Sequence, residues 1–313
     1  MSAFAQEIEQ QRKLTFQRIL MATDFSEASR RALPAAVALA QRFGAELTVV
    51  HAIPPEPRRP VPLDPLPHEL NRPLAQAEQE MNDFTAANLA GIRHRARIET
   101  GEVWDALSAI MQAEGTDLLV LGTHGRSALK KLALGSVAEE VLRLADCPVL
   151  TVGPHVSVDA SRFELSSILF ATDFGPSSAR ALPYAVFFAE NSGAQLVLVH
   201  MVPPVPLVEA AFAPAVVGAD DVTEWQSSVR EESEKRLKAL VPAGTLAREP
   251  VYIAGMDFLP EGILAAATEY HAGLIVMGAN RSASPRVAAH IPWALTHHVI
   301  CDARCPVLTV RAA

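Results

Sequence analysis

At 313 residues, with 50% hydrophobic and 20% charged side chains, the chain is far from a disordered composition and long enough for two domains of about 150 residues. A formal net charge of −8 excludes a surface built to neutralise nucleic-acid phosphates or anionic lipid, so any bound anion must be held locally. Three cysteines, Cys147, Cys301 and Cys305, are too few for a disulfide scaffold.

The first residues, MSAFAQEIEQQRKLTF, are polar and lack the apolar centre of a secretory signal, and no later run has the length of a membrane-spanning helix. The expected location is the cytoplasm, with no membrane and no nucleic acid as partner. RILMATD (18–24) reads as a buried strand. Ala28, Arg31 and Ala32 then lead into an apolar stripe through Val37, Leu39 and Ala40, which predicts a helix ending at Gly44. LTVVHAI (47–53) is a second strand. PPEPRRPVPLDPLP (54–67) carries too much proline for helix or central strand and is expected to be a loop.

ARIET (96–100) is the weakest strand signal, EVWDALSAIMQAEG (102–115) has helical spacing, and DLLVLG (117–122) is again apolar throughout. SVAEEVLRLAD (136–146) predicts a helix and PVLTV (148–152) the last strand. Apolar strands alternating with helices imply a parallel sheet covered on both faces and joined by right-handed crossovers.

The second half repeats the first. Residues 22–55 match 171–204 without a gap: Ala22 recurs as Ala171, Leu33–Pro34 as Leu182–Pro183 and His51 as His200. LLVLG (118–122) answers to LIVMG (274–278), and CPVLTV occurs at both 147–152 and 305–310, so two small insertions separate the copies. Two copies make a duplicated α/β domain, not a solenoid. The expected architecture is two tandem five-stranded parallel-sheet α/β sandwiches, residues 14–155 and 163–313. PPVPLVEAAFAPAVVGADD (203–221) is the longer, more apolar counterpart of the proline-rich loop, and either packs over its own domain or forms a partner surface.

Between Leu121 and Glu140 lies LGTHGRSALKKLALGSVAEE. Gly122 follows a strand at the carboxyl edge of the sheet, where ligands of parallel α/β folds bind. Glycine can take positive φ and lets a polyanion approach backbone N–H groups, and Gly125 repeats the provision. Gly135 and Ser136 stand where a helix begins, its open amides pointing toward the same place. A bland reading stands beside this one. Gly122 and Gly125 could turn the chain, and Ser136 with Glu139 has capping-box spacing. Taken together the spacing favours phosphate. It is neither the Walker loop nor the dinucleotide G-x-G-x-x-G turn.

G-x2-G-x9-G-[ST], written here with Gly122, Gly125, Gly135 and Ser136, resembles the nucleotide-loop signature of the universal stress protein family, and ATDFS after the first strand, VVHAI after the second and CPVLTV at the end also resemble that family. The resemblance covers nearly the whole chain as two tandem copies. It implies a Rossmann-like fold related to the adenine nucleotide alpha hydrolases, and ATP as ligand, with or without Mg2+. By the same resemblance Ala22, Thr23, Asp24 and Ala52 would contact adenosine, while Leu121, Gly122, His124, Gly125, Gly135, Ser136 and Val137 would enclose ribose and phosphates. The terminal strands of family members join two domains, which implies an intrachain pseudo-dimer here and allows a homodimer.

On residue type alone Asp24 is as readily a helix N-cap as a nucleotide contact, His124 a solvated loop residue, and His51 and His200 structural. The second copy keeps Gly278, Asp173 and Met201. It places Asn280 or Arg281 at the second glycine, and Trp293 and Ala294, after Pro292, near the third. One nucleotide per chain, in the first domain, is the expectation. His298, Cys301 and Cys305 have metal-ligand spacing but no second ligand pair, and the alternative is buried thiols. Phosphoryl transfer needs a positioned nucleophile, metal-holding carboxylates and positive charge. Only a cradle is legible, with Lys130 and Lys131 in its loop, so the chain reads as a regulator with at most weak ATP hydrolysis, or as an interaction scaffold with no ligand.

Overall fold

The computed structural model describes residues 14–55, 72–123, 134–157, 165–203, 219–279 and 291–311. They form two compact units, within 15–157 and 165–311. Loop residues His124, Gly125, Lys130 and Lys131 lie outside the described residues, as do most of the two proline-rich loops and residues 280–290.

The first unit runs β1 (Arg18–Ala22), α1 (Glu27–Phe43), β2 (Glu46–Ile53), α2 (Arg72–Asn88), β3 (His94–Thr100), α3 (Val103–Glu114), β4 (Leu118–Gly122), α4 (Ser136–Leu144) and β5 (Val149–Val152). Its strands are parallel in the order β3-β2-β1-β4-β5. Ile19, Leu20, Met21, Leu47, Leu118 and Leu119 are all but fully buried. Each such side chain contributes about 1.5–3 kcal/mol, and a sheet covered on both faces explains why these strands read as unbroken apolar runs. Strand β3 is longer than its sequence signal and largely exposed, with Arg95 and Arg97 paired to Glu46, Glu99 and Glu114. Charges on such a strand discourage foreign pairing.

Helix α1 starts at Ser26, whose hydroxyl accepts the Ser29 N–H at 3.2 Å, and stops at Gly44 in the left-handed region, φ 63°. It buries Ala32, Leu33, Ala36, Leu39 and Ala40. Pro34 lies inside it without ending it.

The second unit repeats the plan: β6 (Ser167–Ala171), α5 (Pro176–Ser192), β7 (Gln195–Val202), α6 (Ala219–Leu240), β8 (Val251–Met256), α7 (Leu259–Glu269), β9 (Leu274–Ala279), α8 (Ile291–Asp302) and β10 (Val307–Arg311). The order β10-β9-β6-β7-β8 is again wholly parallel. In both units the chain steps outward from the first strand to the second and third, then returns to its other side. The crevice at that reversal, beyond the carboxyl ends of β1 and β4 or of β6 and β9, is where this topology leaves room for a ligand.

Candidate functional site

In the first unit the segment leaving β1 is a tightly bonded turn. Thr23 N–H donates to the Val50 carbonyl at 2.9 Å, extending the sheet by one residue. Its Oγ1 accepts the Phe25 N–H at 3.0 Å, and Asp24 Oδ1 accepts the Ser26 N–H at 3.0 Å. These two bonds hold Phe25 at φ 59°, a region that bulky residues rarely occupy. The Phe25 ring is buried against His51, centroids 4.6 Å apart, and the edge of Phe84. His51 Nδ1 lies 2.8 Å from the Thr23 carbonyl, and since a carbonyl only accepts, Nδ1 carries the proton. The second unit repeats this at Thr172, Phe174 (φ 58°) and His200, whose Nδ1 lies 2.7 Å from the Thr172 carbonyl. Both histidines therefore have structural work. Asp24 is not the N-cap of α1, since Ser26 occupies that position.

Gly122 closes β4, and its lack of a side chain has a different cause from the one its sequence suggests. A Cβ there would sit 2.4 Å from the Ala28 carbonyl oxygen and 3.0 Å from Ser29 N, so the glycine lets the strand end pack on the first turn of α1. Its φ is not in the positive range. Gly278 has the same surroundings, 2.4 Å from Ser177 C and Ser178 N. Retention of this glycine in the second copy needs no phosphate to explain it.

The far end of the loop meets the near end. Gly135 N–H donates to the Thr123 carbonyl at 2.8 Å, while Thr123 N–H donates to Val152 O at 3.3 Å. Gly135 is the N-cap of α4 and no side chain caps that end. The capping box proposed for Ser136 and Glu139 is absent because Ser136 is already the first helical residue. The N–H groups of Ser136, Val137 and Ala138 have no carbonyl within the helix to bond, which is the donor set a phosphate takes. Ser136 is exposed and Val137 half-buried, whereas Leu121 is buried.

Of the anticipated site residues, Ala22, Thr23, Asp24, Ala52, Leu121, Gly122, Gly135, Ser136 and Val137 thus stand on the exits of β1, β2 and β4 and the start of α4. His124 and Gly125 lie outside the described residues. Sequence reasoning missed Thr123, buried at 1% exposure, and Phe25. The signal for Phe25 was its recurrence in both TDF segments.

In the second unit the same edge holds a cavity of about 160 Å³ lined by residues that include Asp173, Met201, Met277 and Gly278. Gly175 replaces the capping serine there, so no side chain caps that helix. Asp173 keeps the turn bond that Asp24 makes in the first unit: its Oδ1 accepts the Gly175 N–H at 2.8 Å, and also the Ser178 hydroxyl at 2.5 Å. His298 bonds Asp302 at 2.9 Å, while Cys301 and Cys305 are buried. Burial pushes the thiols of Cys147 and Cys305 up to about 12. Among the described residues no group of three or more potential ligands could hold a metal ion, and no helix is long and apolar enough to cross a membrane.

Residues 15–153 and 165–311 each match the universal stress protein family, and the chain belongs to that family. A universal stress protein of Thermus aquaticus is 39% identical over 139 residues, 44% of this chain and 98% of that relative. One from Methanocaldococcus jannaschii is 28% identical over 139 residues, 44% of this chain and 82% of its own length. Among solved structures, a universal stress protein from Archaeoglobus fulgidus shares the fold over 96% of this chain and 100% of its own, with a TM-score of 0.66 and 22% identity.

Proposed function

We propose that this member of the universal stress protein family binds ATP in its first domain and acts as a nucleotide-dependent stress-response regulator. The observation that carries the reading is the uncapped start of α4, tied by the Gly135–Thr123 hydrogen bond to the exit of β4. The amides of Ser136 and Val137 would meet the phosphates, helped by the positive end of the helix dipole. Ala22, Thr23, Asp24 and Ala52 would meet adenosine, and Leu121, Gly122, His124 and Gly125 would line the path between. Mg2+ would add counter-charge to the phosphates. No nucleophile, base or metal-holding pair is assigned, so occupancy, not turnover, is the proposed signal. Association of two chains belongs to the same proposal, and sedimentation velocity with and without ATP tests it.

A second reading, an interaction scaffold with no ligand, draws on Gly122, whose packing on α1 accounts for the glycine by itself. A thermal-shift series with ATP, ADP and AMP, each with and without Mg2+, separates the two. A ligand at 100 times its dissociation constant stabilises the folded state by about 2.7 kcal/mol and raises the melting temperature. No rise at millimolar nucleotide would favour the scaffold.

A further inference from the structure

The cavity in the second unit differs from a nucleotide site in charge, not only in its missing loop glycines. Strand register makes the comparison residue by residue. Ala52 of β2 faces Glu99 of β3, whereas Met201 of β7 faces Gly255 of β8. The N-cap of α3 is Glu102, whereas that of α7 is Phe258. Two carboxylates at this sheet edge are thus replaced by a bare backbone and a phenyl ring, and a small alanine by a thioether, while exposed Asp257 stands where the first copy has Gly101 and accepts the Phe258 N–H.

The replacements fit one another. A Cβ at Gly255 would lie 2.4 Å from Met201 Sδ, and one at Gly262 2.9 Å from it, so both glycines give the Met201 side chain its space. The apolar walls include Met201, Met277, Leu259, Ile263 and Leu295. Thr172, Asp173, Ser178, His200 and Thr296 also line it. Asp173 Oδ1 accepts the Gly175 N–H and the Ser178 hydroxyl, and His200 Nδ1 donates to the Thr172 carbonyl; a carboxylate at the wall disfavours an anionic ligand. Phe258, immediately before Leu259, is 66% exposed. At about 160 Å³ the cavity matches the size, about 150 Å³, at which an apolar cavity accepts benzene. Methionine sulfur favours the edges of aromatic rings and adapts its shape to them.

We propose that this cavity binds an uncharged, single-ring aromatic molecule and that the second domain is a separate ligand site, not a silent copy of the first. The proposal stands independently of ATP binding in the first domain.

The test uses the full chain with 13C-methyl methionine, the Met201 and Met277 signals being assigned from Met→Leu variants, and p-cresol as probe. Titration shifts the Met201 and Met277 methyl signals, and calorimetry gives an affinity that falls at least tenfold in Leu259→Glu. Phe258→Glu, at an exposed position and restoring the carboxylate of the first domain, weakens it severalfold. Benzoate binds at least tenfold more weakly than p-cresol. The proposal is overturned if p-cresol at millimolar concentration leaves both methyl signals unmoved, if benzoate binds as tightly, or if adenosine displaces p-cresol from those methyls. The methyl shifts in the parent chain decide the matter even where Leu259→Glu fails to fold.

Discussion

The amide of Gly135 donates to the carbonyl of Thr123 at 2.8 Å, pinning the residue before α4 to the residue after β4. A loop whose ends are joined this way delivers a helix start to a strand exit whatever path its middle takes. The bond uses the N–H of Gly135 itself and leaves the next three amides of α4 for another acceptor. This link between local structure and site chemistry is what the ATP reading rests upon.

The glycine at 122 has a stability role separable from any ligand. Gly122→Ala, with its methyl 2.4 Å from a helix carbonyl, should lose about 1–3 kcal/mol in urea unfolding without nucleotide. Gly255→Ala should cost less. There the nearest atom is the end of a flexible methionine, which can rotate away. Equal losses at both positions would contradict this assignment.

The two units start their first helices differently, one with a side-chain cap and one without, and mutation should expose the difference. Ser26→Ala removes the cap of α1 and should cost about 1 kcal/mol. In the second unit Asp173→Ala strips the acceptor from both Gly175 N–H and the Ser178 hydroxyl, with a loss of about 1–2 kcal/mol. Denaturant curves showing Asp173→Ala as stable as the parent would contradict a stabilising role for this turn.

His51 and His200 should each be found as the Nδ1-protonated tautomer when neutral. Long-range 1H–15N correlation distinguishes the two ring nitrogens directly. Protonation at Nε2 alone would be incompatible with donation to the Thr23 and Thr172 carbonyls.

Cys305 links stability to alkaline pH. Its folded thiol is pushed up to about 12 by burial from an ordinary value of 9.0. The unfolded thiol ionises first, so the stabilisation is complete below about 9 and declines as pH rises toward 12. Urea midpoints should fall over that window more steeply in the parent than in Cys305→Ala. Iodoacetamide at pH 8.5 should label the native thiol slowly and the unfolded one fast.

The duplication and the parallel sheets were legible because strands buried on both faces leave unbroken apolar runs, as Leu118–Gly122 and Leu274–Ala279 do. Helix α1 was legible from its stripe and Gly44. Sequence spacing alone could not say why Gly122 is a glycine, because close approach of a helix and a positive φ both select the same residue. It also could not choose between Asp24 and Ser26 as N-cap, since either type serves and only the backbone path decides. Ser136 and Glu139 had capping-box spacing one residue out of phase with the helix that formed. Pro34 and Pro183 sit inside helices whose packing overrides the local break.

Calorimetric titration of ATP into the parent and Gly135→Asp tests the site most directly. Gly135 has φ −68° and ψ 153°, which any residue adopts, and aspartate is a favoured N-cap, so the variant should fold with equal or higher stability. Its carboxylate would accept the α4 amides and repel the phosphates. The account predicts at least a tenfold loss of ATP affinity with the melting temperature kept or raised; ATP binding equal to the parent would contradict it.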